Sequence, residues 1–260
     1  SDKKAWVRFR YPRWLYSSAA ICGIPIEVSR GFLHGWYAYN GISLNNPKLG
    51  FVCVSEDMTG QFGLCGYFKE FDHKLSLEDR LQFSADEVVP DFSSHSQPSL
   101  PDEFWGCERL IKAKRNYAID YYCNSLVALG EIIGFEKAEQ YGMRVGRLIG
   151  AQYYRDLAMK INVIDGGPKE AIIFIEKMMS GLGDLSVAKT ESQDYLTLRH
   201  VLPGFLRGLG AEAKRCLLNS WIEIWKGTII SHQTLMEVQC VENKNGEELE
   251  WNIKSKQKKK

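Results

Sequence analysis

Residues 235–253, LMEVQCVENKNGEELEWNI, decide the fold. Two runs of strand-forming residues, Leu235–Val241 and Glu248–Ile253, flank Asn245-Gly246, a dipeptide that closes tight hairpins because both residues accept positive φ. In the second run Leu249, Trp251 and Ile253 alternate with Glu248, Glu250 and Asn252, so one face is buried and the other wet. Upstream, Pro203 opens a helical stretch that reaches about Ile230, with a break expected at Gly208-Leu209-Gly210.

The same plan stands near the other end of the chain. Residues from about 24 to 40 read as a helix with Pro25 near its first turn. Asn40-Gly41 stops it, and Leu49-Gly50-Phe51-Val52-Cys53-Val54 returns as 62–68 around a turn at 57–60. The first copy runs helix, Trp36, Gly41, eleven residues, Cys53, Gly60, Tyr67-Phe68-Lys69. The second runs helix, Trp221, Gly227, twelve residues, Cys240, Gly246, Trp251-Asn252-Ile253-Lys254. Cys22 and Cys216 each stand near or before the start of their helix. Order and spacing agree over about 40 residues, which an internal repeat explains, since a helix covering a hairpin can be duplicated as a unit.

Between the copies, 84–104 is polar and proline-punctuated and reads as a linker. A long helix is expected from Pro101 to Gly130 or Gly134, and another from Glu136 to about Ile161. The latter carries Gly142, Gly146 and Gly150 on one face, a spacing that permits close helix contact, while Arg144 and Arg147 exclude a membrane span. Pro168 starts a shorter helix ending at Gly181 or Gly183, and strands follow at 185–189 and 195–201. The expected fold is α+β, helices packed on a small antiparallel sheet, with the helix-plus-hairpin unit occurring twice. The expected organisation is a partial copy over 1–83, a linker over 84–104, a complete domain over 105–254 and a basic tail over 255–260.

Net charge is +1, but Lys254, Lys256, Lys258, Lys259 and Lys260 lie at the end, and without them the balance is −4. That is not the balance of a nucleic-acid-binding protein. No apolar run approaches the roughly 18 residues that span a bilayer. The start of the chain lacks the apolar stretch of a signal peptide, so a cytoplasmic location is expected. Seven cysteines, odd in number and without a CxxC pair, argue against a disulfide framework and leave buried thiols, a metal site or a nucleophile.

Ile133-Gly134-Phe135-Glu136-Lys137-Ala138, followed by Arg144-Val145-Gly146 and Gly150, resembles the N-terminal sensory domain of XylR-type activators of aromatic catabolism. The downstream helix and hairpin resemble the linked 4-vinyl-reductase-like domain. The resemblance covers about Trp105 to Lys254, and the N-terminal segment resembles the second half of that unit. It implies a fold shared with TRAPP-type trafficking subunits, a buried pocket for a small aromatic or hydrophobic molecule, and a dimeric habit. It also implies zinc near the hairpin. Cys216, Glu237 and Cys240 match three of the four family ligands, and Trp251 stands where the fourth cysteine is expected. In the first copy Cys22, Cys53 and Cys65 match the cysteines and Gly50 replaces the glutamate. Buried structural cysteine is the alternative reading. Glu237 and Cys240 are three apart, so they converge only if the strand bends or bulges.

Within the resemblance, the ligand-lining candidates are Tyr117, Tyr121, Tyr153, Tyr154, Trp221 and Trp225, with Tyr122 beside them, in a pocket next to the glycine-faced helix. Aromatic residues at helical spacing also serve as ordinary core. His34, His200 and His232 are read as surface or core histidines. There is no Gly-x-Ser-x-Gly elbow, dinucleotide fingerprint, His-Glu-x-x-His or phosphate-loop pattern, and no catalytic residue is identified. The expected function is small-molecule binding as a sensor or accessory subunit, a homodimer or part of a larger assembly, without its own DNA-binding or ATPase domain. The alternative is a zinc- or cysteine-dependent reductase or hydrolase.

Overall fold

The computed structural model describes residues 4–9, 25–56, 63–91, 93, 95, 97–98, 103–184, 186–191, 196–232, 236–243 and 245–255. Cys22, the turn at 57–60 and the tail from 256 lie outside them. The chain divides into two compact units, Ser1–Ser99 and Leu100–Lys260. Both are α+β, as expected.

In the N-terminal unit a strand, β1 (Lys4–Arg8), precedes a helical run made of α1 (Ile26–Phe32), a π-helical segment (Leu33–Ala38) and α2 (Asn40–Ser43). A hairpin follows, β2 (Leu49–Ser55) and β3 (Cys65–Glu70), then a short strand β4 (Leu81–Phe83). The sheet order is β1-β3-β2-β4, antiparallel except for β2 against β4. Phe51 and Cys53 join Leu33, Ala38, Leu64 and Leu81 on one face, while Val52 and Val54 join Tyr67 on the other. A strand covered on both faces reads as an unbroken apolar run, and 49–54 is one.

The C-terminal unit opens with two 27-residue helices, α3 (Cys107–Ile133) and α4 (Phe135–Ile161). A single residue joins them: Gly134, at φ 89° and ψ 140°. An L side chain rarely adopts that φ, so the sharp reversal needs glycine there. Next come α5 (Pro168–Leu182), β5 (Ser186–Glu191), β6 (Leu196–Val201), α6 (Ala211–His232), β7 (Met236–Glu242) and β8 (Glu248–Ser255). Pro168 opens α5, and the Glu170 carboxylate accepts the Gly167 N–H at 2.8 Å to finish the helix start. The sheet order is β5-β6-β8-β7, antiparallel throughout.

Each unit thus contains a helix followed by a hairpin. In each, the hairpin's return strand (β3, β8) also pairs with the strand ahead of the helix (β1, β6). The flanks differ, because β2 is covered by β4 while β7 ends its sheet.

The glycine row of α4 closes onto α6. A Cβ at Gly146 would lie 2.6 Å from the Ser220 carbonyl oxygen, one at Gly150 would overlap the Ile224 carbonyl, and one at Gly227 would overlap the Arg147 carbonyl. Backbone meets backbone from both sides, which brings the helices together over their full contact. Arg147 fastens the rim, its Nε donating at 2.7 Å to the buried Glu223, which also accepts from Lys226 at 2.9 Å. The space next to the glycine face is therefore helix backbone. No described helix is long and apolar enough to cross a membrane.

Candidate functional site

Helix geometry puts Trp221, Trp225 and His232 on one face of α6, within about 40° of each other and roughly 100° round from the glycine contact. Trp221 and Trp225 meet edge to face with centroids 5.1 Å apart. Phe205, on the single turn Gly204–Leu206, stands edge-on to Trp221 at 5.2 Å, and Tyr122 of α3 lies 5.9 Å from it. Tyr122 donates its hydroxyl to the Leu217 carbonyl at 2.8 Å, and burial pushes its acidity far down. Both indole rings are buried, Trp221 8% exposed and Trp225 4%. Neither indole N–H finds an acceptor among the described residues.

Two turns further on, His232 is 4% exposed and its Nδ1 lies 2.6 Å from the Tyr154 hydroxyl. The backbone N–H of Asp165 donates to the same hydroxyl oxygen at 3.1 Å. Asp165 (φ 57°) and Asn162 (φ 53°) both adopt left-handed backbone in the loop after α4. Burial raises the Tyr154 pKa and lowers that of His232, with Asp165 and Glu170 opposing part of the latter. The backbone of Gly167 also lies against the His232 imidazole and opposes the shift.

Of the expected lining residues, Trp221 and Trp225 therefore come together with Tyr122, and Tyr154 joins His232. Tyr117 and Tyr121 do not join them. They stack on each other along the outer side of α3, 54% and 42% exposed. Tyr153 is half-buried, one residue and about 100° round α4 from Tyr154. The pairing of Tyr154 with His232 spans 78 residues and has no local signature.

His200 is a satisfied core histidine. Its Nε2 accepts from the Trp251 indole at 2.8 Å and its Nδ1 bonds the Val201 carbonyl at 2.9 Å. So Trp251, standing where the resemblance expects a cysteine, serves as donor to a neutral imidazole. Burial lowers the pKa of His200 as it does that of His232. The unfolded chain takes up protons near pH 6.5 while the folded protein resists until lower pH. Stability is then fully present above about pH 6.5–7 and is lost as pH falls toward the depressed folded values. Urea midpoints measured from pH 8 to pH 5 should be flat at first and then fall; a rise on acidification would contradict the buried neutral pair.

Among the described residues, the members of the two expected cysteine sets are not gathered into one group. Along β3, Cys65 and Tyr67 share one face while Gly66 and Phe68 share the other, which is the face of Phe51 and Cys53. Cys53 and Cys65 thus lie on opposite faces of one sheet. Gly50, in the glutamate position, leaves no space for a carboxylate, since a Cβ there would lie 2.9 Å from Leu75 Cδ1 and 3.2 Å from the Arg80 carbonyl. In the second unit β7 pairs with β8 in unbroken register, so no bulge turns Glu237 toward Cys240. Cys240 packs on the core beside Val238, and Glu237 faces away, 3.3 Å from Lys254. Among the described residues no group of three or more His, Cys, Asp or Glu side chains is placed to hold a metal. Burial raises the pKa of Cys65, Cys216 and Cys240, and pushes Cys123 up to about 11. Thiols held protonated are poor nucleophiles.

No family model matches the chain, and no curated protein matches it. The resemblance to XylR-type sensory domains therefore rests on the motifs quoted above. Two solved structures show a low-level likeness. One comes from work on modulating haem redox potential through protein-induced porphyrin distortion, with 17% identity, 55% of this chain and 94% of that chain covered, and a TM-score of 0.31. The other comes from work probing the function of haem distortion in the H-NOX family, with 15% identity, 67% and 80% covered, and a TM-score of 0.33. At these scores the likeness carries no argument about ligand or chemistry.

Proposed function

We propose that the chain is a small-molecule-binding protein whose C-terminal unit receives an aromatic or hydrophobic ligand against Trp221 and Trp225, and that it acts as a sensor or accessory subunit passing occupancy to a partner. The observation that carries this reading is the pair of buried indole N–H groups without an acceptor. A buried donor left unpaired costs about 1–3 kcal/mol, and a bound molecule with an oxygen acceptor recovers that cost. The wall around the pair is aromatic, the kind of surface on which a planar ligand stacks. The two strand–helix–hairpin units are read as related copies, one partial and one complete. The cysteine chemistry needed for an enzyme finds no support in thiols whose pKa burial raises.

The test is thermal unfolding of the full chain against a panel of phenols and other small aromatics. A ligand at 100 times its Kd adds about 2.7 kcal/mol of stability, which is readily seen as a Tm shift. Trp221→Phe and Trp225→Phe retain a ring and remove the N–H. Each variant should fold and lose the part of the ligand-induced shift that one hydrogen bond supplies, about 0.5–1.5 kcal/mol. A panel that leaves the wild-type Tm unmoved removes the proposal.

A further inference from the structure

The two sheets share three antiparallel strands in the same order, β1-β3-β2 in the first unit and β6-β8-β7 in the second. β2 and β7 are thus equivalent, each the first arm of its hairpin. The Lys48 carbonyl accepts the Phe71 N–H at 2.9 Å, and bonded pairs alternate along an antiparallel ladder, so the backbone of Phe51 and Cys53 turns away from β3. β4 fills that side in parallel, and the Ser84 N–H donates to the Cys53 carbonyl at 2.8 Å. In the second hairpin the Asn243 N–H donates to the Glu248 carbonyl at 2.9 Å, and the register runs unbroken from there. The backbone of Met236, Val238, Cys240 and Glu242 therefore turns away from β8. Like Phe51 and Cys53, Val238 and Cys240 carry their side chains on the core side. No described strand pairs with them. The other outer strands bear devices that discourage pairing: Lys4 and Arg8 on β1, Lys189 and a register shift between Ser186 and Ala188 on β5. β7 has seven residues with no cation, proline or shift.

We infer that the outer edge of β7 docks an extended segment of a partner protein, added parallel to β7 as β4 is to β2. The segment carries apolar residues beside Val238 and Cys240 and a lysine or arginine between them. The apolar positions follow from Leu81, which pairs with Phe51 and joins the core of its unit. The basic position follows from charge. On the wet face Glu237, Gln239, Glu250, Asn252 and Lys254 line a groove of about 250 Å³, with two carboxylates to one ammonium. Opposite charges on neighbouring strands attract and like charges repel. A second copy of the chain fits less well. Strands joined across a two-fold axis run antiparallel, and another β7 would bring Glu237 and Glu242 again with no cation. This docking edge is independent of the ligand site on α6.

The probe is a fluorescein-labelled nonapeptide of alternating valine and lysine, titrated by anisotropy into the full chain at low salt. It should bind about tenfold more tightly than the same peptide with glutamate for lysine, and Glu237→Lys should remove most of that preference. In parallel pairing the lysine N–H groups face β7, as that of Ser84 faces β2, and the valine N–H groups face solvent. Backbone N-methylation at the lysines should therefore abolish binding, while N-methylation at the valines should leave it within about threefold. Amide exchange supplies the second readout. Binding should slow exchange at Val238 and Cys240 about tenfold and leave Gln239, already bonded to β8, unchanged. The reverse N-methylation pattern would overturn the parallel orientation, and equal binding of the glutamate peptide would overturn the charge assignment. If neither peptide binds, or if Val238 and Cys240 become protected with protein concentration alone as the chain dimerises, the docking site for a partner segment is overturned.

Discussion

Gly150→Ala should destabilise the C-terminal unit by about 2–3 kcal/mol, and Gly150→Val by more, because each added group strikes backbone on α6 where nothing flexible can yield. Alanine alone would favour a helix by about 0.5–1 kcal/mol over glycine, so a net loss reports the clash. The expected order, glycine above alanine above valine, runs opposite to what solvent-exposed helix positions show for the first step. Gly31→Ala supplies the control, since a Cβ there meets nothing within 4 Å and a small gain is expected. Urea unfolding followed by tryptophan fluorescence measures all three. A Gly150→Ala protein as stable as the parent would mean that the α4–α6 contact is looser than described.

Trp251→Leu should cost about 3–5 kcal/mol, since it removes the largest fully buried side chain and opens a cavity beneath the sheet. Trp251→Phe keeps most of the packing but leaves the His200 Nε2 without its donor, for an expected loss of about 1–3 kcal/mol. The phenylalanine variant should also change the pH profile. A proton on Nε2 no longer faces an indole N–H, so the loss of stability on acidification should be shallower than in the parent. Parallel pH slopes for the two proteins would show that the His200–Trp251 bond does not govern the titration.

The features that sequence reveals here are local ones. Asn245-Gly246, Pro168 and the Gly208-Leu209-Gly210 break act through their own backbone, and each stands where it was expected. The glycine row was legible because a spacing of four marks one helix face whatever lies opposite. β1 and β4 were missed because five and three residues carry no pattern of their own and gain their structure from partners far along the chain. The expected zinc sets turn on orientation, which residue order does not contain: once strand register is fixed, Cys53 and Cys65 fall on opposite faces of their sheet, as do Glu237 and Cys240 of theirs. The candidate site was half visible. Trp221 and Trp225 are an aromatic pair in any reading, but whether their N–H groups have acceptors depends on residues up to a hundred positions away. Tyr117 and Tyr121 look the same in sequence and lie outside.

The single-residue link at Gly134 has a consequence for how the chain avoids tangling with its own copies. Two helices of about 40 Å each turn back on one glycine, and one change of dihedral would run them on as a rod of about 80 Å. In that extended form α3 of one molecule can lie in the place that α3 of another vacates, exchanging arms without any new contact. Gly134→Ala, which penalises φ 89°, should therefore shift the protein toward an exchanged dimer, seen by light scattering as a slowly interconverting species that grows with concentration during refolding. In this light one unsubstituted carbon decides whether each molecule completes its own fold or borrows from its neighbour.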